Sequence, residues 1–173
     1  MRNAWQITLG VSLTVLALAA PAAAQVAPVA ASEVNTAGPR FGVTALDTGN
    51  RAKLESERDI TLGPAITQFG WQFERQFYGG RGGPAAITEV VVLAGGLEQG
   101  VVIPSLNWLV GVRTPDGFEF GAGPNITPAG VALALAVGKT VTFGVLNVPL
   151  NVAVVPSHDG MRVSFLTGFA LRR

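Results

Sequence analysis

Apolar and polar residues alternate with a period of two along most of the chain after residue 60. In residues 65–78 one face carries the aromatic residues Phe69, Trp71, Phe73 and Phe77, and the opposite face is mostly glutamine and glutamate. Similar alternation covers residues 101–114, 131–143, 146–154 and 161–171. Because successive side chains of a strand point to opposite sides, this pattern predicts strands with one apolar face and one polar or small face.

Shorter segments and turn residues complete the predicted architecture. Residues 40–47, 87–95 and 117–123 bring the candidate strands to eight, and Pro115 and Gly117 suit a tight turn. Residues 121–130 predict a longer loop rich in Gly and Pro, and the charged residues 50–59 predict a short surface helix. The predicted fold is all-β, an antiparallel up-and-down β-barrel of about eight strands.

The two unlike faces allow two interpretations. In a soluble barrel the apolar face forms the core, whereas in a transmembrane barrel it meets lipid and the polar face fills the lumen. The second is favoured because the apolar face is rich in aromatic residues, which concentrate at membrane interfaces, and because the other face has few charges for a solvated surface. The candidate lipid-facing aromatic residues are Phe69, Trp71, Phe73, Phe77, Trp108, Phe165 and Phe169. The candidate polar residues of the lumen are Gln72, Glu74, Asn107, Arg113, Glu119, Asn147, Asn151 and Arg162.

Two cations, Arg75 and Lys139, fall on the apolar face. In the middle of a bilayer each would cost about 2–4 kcal/mol. We therefore expect both to lie near strand ends, where their charged groups reach the lipid headgroups.

The first 24 residues have the layout of a secretory signal peptide. Arg2 precedes an apolar stretch over residues 7–20, and Ala22 and Ala24 place small residues before Gln25. The apolar stretch is shorter than the roughly 20 residues of a transmembrane helix. Residues 25–39, rich in Ala, Pro, Ser and Thr, predict a flexible lead-in to a barrel domain over residues 40–173.

Composition excludes several classes of function. The sequence has no cysteine and one histidine, His158, so it offers no thiolate or multi-histidine metal site. Of its 12 basic residues Arg2 lies in the predicted signal, which leaves 11 against 11 acidic residues and no basis for nucleic-acid binding. Ser157, His158 and Asp159 are residue types of a hydrolase triad, but neighbours on one turn do not supply its geometry. We predict no catalytic residue, cofactor or metal, and keep an envelope hydrolase that depends on His158 as a third alternative.

The last third of the chain carries a resemblance to a class of proteins. Residues 117–125 (GFEFGAGPN) and 146–169 (LNVPLNVAVVPSHDGMRVSFLTGF) resemble the closing strands of small, mostly uncharacterised bacterial outer-membrane β-barrel proteins. The resemblance implies a location in the bacterial outer membrane, with lipid and the barrel-assembly machinery as partners. That machinery recognises a terminal aromatic residue, and this chain departs from the pattern because Phe169 is followed by four more residues.

The sequence therefore predicts an exported outer-membrane β-barrel with a structural or loop-mediated binding role. An eight-stranded barrel is barely wide enough for its own side chains, so no large pore is expected. The alternative is a soluble periplasmic or secreted lipocalin-like barrel, in which Trp71, Trp108 and Phe165 would surround a pocket for a small apolar ligand.

Overall fold

The structure, a computed structural model, describes residues 35–79, 82–158 and 160–171, so the predicted signal peptide lies outside the described residues. The elements in chain order are β1 (Gly38–Leu46), α1 (Thr48–Arg58), β2 (Ala65–Gly79), β3 (Ala85–Gly95), a 3₁₀ turn (Leu97–Gln99), β4 (Ile103–Arg113), β5 (Phe118–Thr127), β6 (Gly130–Phe143), β7 (Leu146–Ser157), β8 (Gly160–Gly168) and the two-residue β9 (Ala170–Leu171). The helix expected at residues 50–59 is present as α1.

Antiparallel pairing of β1 with β8 closes the sheet into a barrel. Strands β1 to β7 each pair antiparallel with the next strand in sequence, and the short β9 pairs with β7. The seam joins Arg40 to Gly168 at one end and Leu46 to Arg162 at the other. This closure removes the free edges that an open sheet would present. The structure thus confirms the predicted all-β, up-and-down barrel of eight strands.

Among the strands that are longer than the sequence predicted are β1 and β5, two of those predicted to be short. β1 begins at Gly38, and β5 continues to Thr127 through residues that were expected to form a long loop. The β4–β5 ladder has a gap between the pairs Asn107–Asn125 and Val110–Ala122, and Pro124, which has no N–H to donate, lies in that gap. The predicted loop over residues 121–130 is therefore wrong, and a short turn at residues 128–129 replaces it.

The connections collect at two ends of the barrel. The terminal end holds the start of β1, β9 and the connections after β2, β4 and β6, and the loop end holds α1, residues 96–102, the turn at 128–129 and the start of β8. α1 lies against the loop end, where Leu54 is 1% exposed. Leu54 packs in a buried cluster with Leu46, Leu62, Ile66 and Ile103. This cluster, the apolar plug, therefore closes the loop end of the barrel. In the described part of the chain, no helix is long and apolar enough to cross a membrane.

Glycines at positions that face the interior allow neighbouring strands to approach closely. A Cβ built on Gly70 of β2 would stand 1.9 Å from the carbonyl oxygen of Val92 on β3. The obstacle is backbone, so a side-chain rotation cannot relieve it. The curvature of the barrel at this point therefore requires glycine.

We expect Gly70→Ala to lower the free energy of unfolding by about 1–3 kcal/mol, or to prevent refolding, because the added methyl overpacks the contact between β2 and β3. Urea unfolding followed by tryptophan fluorescence measures the effect. Gly121→Ala is the matched control, since its Cβ would meet its nearest neighbour at 3.6 Å. Equal stability of the two variants would contradict the close approach.

Candidate functional site

The outer face of the barrel carries the aromatic side chains. The seven aromatic residues singled out in the sequence all lie there, with exposed fractions between 45% for Phe77 and 62% for Phe165. The same face of β6 presents Val131, Leu133, Leu135 and Val137, each at least 44% exposed. Trp71, Trp108 and Phe165 are therefore spread over the exterior and do not surround an interior pocket.

The two cations of the outer face lie toward the terminal end. Lys139 donates from Nζ to the carbonyl oxygen of Asp116 in the β4–β5 turn. The same Nζ stands 3.9 Å from the centre of the Phe118 ring, a cation–π contact. Arg75 is exposed in the last third of β2. Both charges thus lie away from the middle of their strands.

The interior near the terminal end holds a charged cluster centred on Arg113. This side chain is 2% exposed and donates from Nε to Oε1 of Glu119 and from Nη1 to Oε1 of Glu74, both at 2.8 Å. Nη2 also binds Glu74, which makes that pair bidentate. Two carboxylates from β2 and β5 therefore share one guanidinium from β4, and Glu119 accepts a further hydrogen bond from Thr140 at 2.9 Å.

The residues just before β1 enter this cluster. Thr36 is fully buried, and its hydroxyl accepts from Arg113 at 3.1 Å and from Gln72 at 3.2 Å and donates to Glu74. Asn147, itself fully buried, donates to the carbonyl oxygen of Asn35 at 2.9 Å. Residues 35 and 36, which the sequence placed in the lead-in, therefore belong to the packed interior of the terminal end.

Two charged interior residues were missing from the candidates taken from the sequence. Arg40 donates from Nε to Gln72 at 3.0 Å, and Gln72 donates to Glu89 at 2.6 Å. Both charged side chains are buried, Arg40 at 1% and Glu89 at 6% exposure. Arg40 lies in a strand with a weak pattern after Pro39, and Glu89 lies in a strand that is apolar on both faces. The available signal was that Glu89 is the one charged residue in residues 87–95 and Arg40 the one charged residue in Gly38–Leu46.

A second interior cluster lies nearer the loop end. Asn125 donates to Asn107 at 2.8 Å and to Ser105 at 3.1 Å, and accepts from Nη2 of Arg162 at 2.8 Å. Asn125 was missed because its segment was predicted to be a loop. Asn125 lies six residues after Glu119 in the same strand, so both side chains point to the same face, and alternation continued through this segment would have assigned Asn125 to the interior.

The rest of the interior is nearly filled. A cavity of about 40 Å³ remains at mid-barrel beside Glu89, Ala136 and Asn151. This volume suits a few water molecules. Oδ1 of Asn151 has no hydrogen-bond partner among the described residues, so a water in this cavity would satisfy it. All eight polar candidates from the sequence thus lie inside the barrel.

The residue types considered for catalysis do not assemble. His158 is exposed on the β7–β8 turn, Ser157 bonds to Asn50 at 3.3 Å, and Asp159 lies outside the described residues. The interior carboxylates Glu74 and Glu119 both form ion pairs with the guanidinium of Arg113. In the part of the chain that the structure describes, no group of three His, Cys, Asp or Glu side chains is placed to hold a metal ion.

Two hydrogen-bonded carboxylates organise the loop end. Oε1 of Glu98 accepts from the Thr67 amide at 2.9 Å, and Oε2 accepts from the Thr67 hydroxyl. The hydroxyl contributes most to lowering the pKa of Glu98 to about 2. Asp47 caps α1 by accepting from the Asn50 amide at 2.9 Å and also accepts from the Met161 amide. These backbone hydrogen bonds hold the pKa of Asp47 below its ordinary value.

A search of protein-family models, of curated proteins and of solved structures finds no match to this chain. The geometry of the barrel itself therefore carries the functional inference.

We expect Arg113→Gln to lower the free energy of unfolding by about 3–5 kcal/mol, because Glu74 and Glu119 would stay buried without their shared cation. Urea unfolding measures the loss. Adding Glu74→Gln and Glu119→Gln to the same chain should recover part of it, and Arg75→Gln on the outer face is the matched control. Equal losses from Arg113→Gln and Arg75→Gln would contradict the role of the cluster.

We expect Thr67→Val to raise the pKa of Glu98 from about 2 toward its ordinary value of 4.5, because the hydroxyl donor is removed. The folded-state pKa lies below the unfolded one, so the stability that Glu98 contributes is complete above pH 4.5 and is lost as the pH falls toward 2. NMR titration of the Glu98 carboxyl carbon measures the pKa. Thr67→Ser keeps the donor and is the control, and identical titrations of the two variants would contradict this assignment.

Proposed function

We propose that this chain is an exported outer-membrane β-barrel protein with a structural role or a binding role carried by its loops. The single observation behind the proposal is the placement of the two faces. Trp108 is 57% exposed on the outside, while Arg113 is 2% exposed inside. A hydrocarbon surrounding favours this arrangement, because it accepts the rings and leaves the polar groups to pair with one another in the lumen.

Water is a poor surrounding for the same outer face. Soluble monomers rarely expose contiguous apolar patches larger than a few hundred Å². Here exposed aromatic and aliphatic side chains occur on every strand from β1 to β8, including Phe41 on β1, Val92 on β3 and Leu150 on β7. Contact with lipid would remove the free-energy cost of hydrating these exposed apolar side chains. This supports a membrane barrel over a soluble one.

Strand lengths and the positions of the cations fit the same proposal. The shortest barrel strands, β1 and β8, have nine residues, and about 9–11 residues of tilted strand cross a bilayer. Lys139 and Arg75 lie toward the terminal end, where charged groups reach headgroups. In such barrels the chain termini face the periplasm, so we assign the terminal end to that side and α1 to the outside.

The filled interior limits the activity that we propose. The Arg113 cluster occupies the terminal end, the Leu54 cluster closes the loop end, and about 40 Å³ is left between them. We therefore propose no large pore. Outer-membrane lipid and the barrel-assembly machinery are the proposed partners.

Tryptophan quenching tests the assignment. The described residues hold Trp71 and Trp108, both on the outer face. Trp71→Phe and Trp108→Phe each leave one of these probes in the mature chain. After expression with the signal and recovery from the envelope, we expect brominated lipid to quench each probe strongly and iodide to quench it weakly.

The opposite outcome would favour the lipocalin-like alternative. Recovery of the protein in the soluble periplasm without detergent, with quenching by iodide and none by brominated lipid, would reject the membrane proposal. The wild-type chain refolded in detergent is the control for folding of the single-tryptophan variants.

A further inference from the structure

A polar cleft opens at the loop end, apart from the interior clusters and the apolar plug. It has a volume of about 320 Å³ and lies between α1, the β5–β6 turn and the β7–β8 turn. Its polar side chains are Asn50, Lys53, Ser157, His158 and Arg162. Among the described lining residues the charged side chains are those of Lys53 and Arg162.

Arg162 is the most unusual of these side chains. It is 7% exposed, and its hydrogen bonds go to neutral oxygens, from Nη1 to the Thr127 hydroxyl at 3.1 Å and from Nη2 to Asn125 at 2.8 Å. Its Nε, also buried, has no hydrogen-bond partner among the described residues. The guanidinium of Arg162 therefore has one N–H without a partner, and the neutral oxygens that it binds do not neutralise its positive charge.

The carboxylate of Asp47 attracts Arg162 by a Coulombic interaction and accepts none of the hydrogen bonds of Arg162 described above. Its Oδ1 accepts from the amide and the side chain of Asn50, at 2.9 and 3.1 Å, and its Oδ2 accepts from the Met161 amide. Asp47 is thus committed to capping α1 and to holding it against β8. Among the described residues, no carboxylate forms a salt bridge with Arg162.

We propose that this cleft binds an oxyanion of the phosphate class, either free phosphate or the phosphomonoester of a lipid headgroup. A buried cation without a close counter-charge is costly, and the planar guanidinium offers donors that match phosphate oxygens. Lys53 from α1 adds a second positive charge to the described lining of the cleft. The volume is at the small end of ligand pockets, which suits a compact anion with its waters. The proposal does not depend on the membrane assignment.

Calorimetric titration of the refolded full chain with inorganic phosphate tests the proposal, in uncharged octyl glucoside micelles at constant ionic strength. We expect saturable binding that Arg162→Gln weakens about tenfold or more, because a charge-assisted contact is lost. Arg75→Gln makes the same change of charge at the other end of the barrel, and we expect less than a twofold effect. Lys53→Gln alters the rim without opening the buried network, and we expect a weakening of several fold even if Arg162→Gln folds poorly.

A second titration separates the two sources of the anion. Micelles doped with phosphatidic acid present a phosphomonoester on a lipid, and tighter binding there that free phosphate displaces would identify a headgroup site. Binding of inorganic phosphate alone would identify a site for the free ion. Absence of binding in both titrations, or equal weakening by Arg75→Gln and Arg162→Gln, would overturn the proposal, whatever the outcome of the tryptophan quenching.

Discussion

Closure of the β1–β8 seam is the constraint on which the rest of the structure depends. Once Arg40 pairs with Gly168 and Leu46 with Arg162, half of the side chains of eight strands point into one narrow space. Each inward position must then be small or find its partners inside. Gly70 and Ala134 satisfy this requirement by size, and Arg113 satisfies it by serving two carboxylates and a threonine hydroxyl.

The two faces of the strands contribute in different ways. Inside, polar groups from distant parts of the chain neutralise and hydrogen-bond one another, so removal of one member leaves the others buried and unsatisfied. Outside, side chains such as Phe73 and Leu133 make few contacts within the chain, and their free energy depends on what surrounds the molecule. The interior therefore maintains the shape of the barrel, and the exterior selects its environment.

The sequence was sufficient for the number of strands and for the faces of the strongly alternating ones, because alternation is a local property that each segment shows by itself. Phe69 and Gln72 could be assigned to opposite faces without any knowledge of their neighbours. The partners inside could not be assigned, since contacts such as Gln72 with Glu89 depend on the register between strands. The entry of Thr36 into the lumen and the burial of Leu54 within a charged helix depend on tertiary packing, and neither segment shows a local pattern that would reveal it.

Asp47 has a consequence for the order in which the molecule assembles. Its carboxylate accepts from the first turn of α1 and from Met161 on the last barrel strand, and 114 positions separate Asp47 from Met161. A contact of such long range forms only after the entropy of closing that loop has been overcome. The apolar packing of Leu54 needs only the first half of the barrel, but the hydrogen bond from Met161 to Asp47 forms only when the first and last strands have met, so this bond marks completed closure.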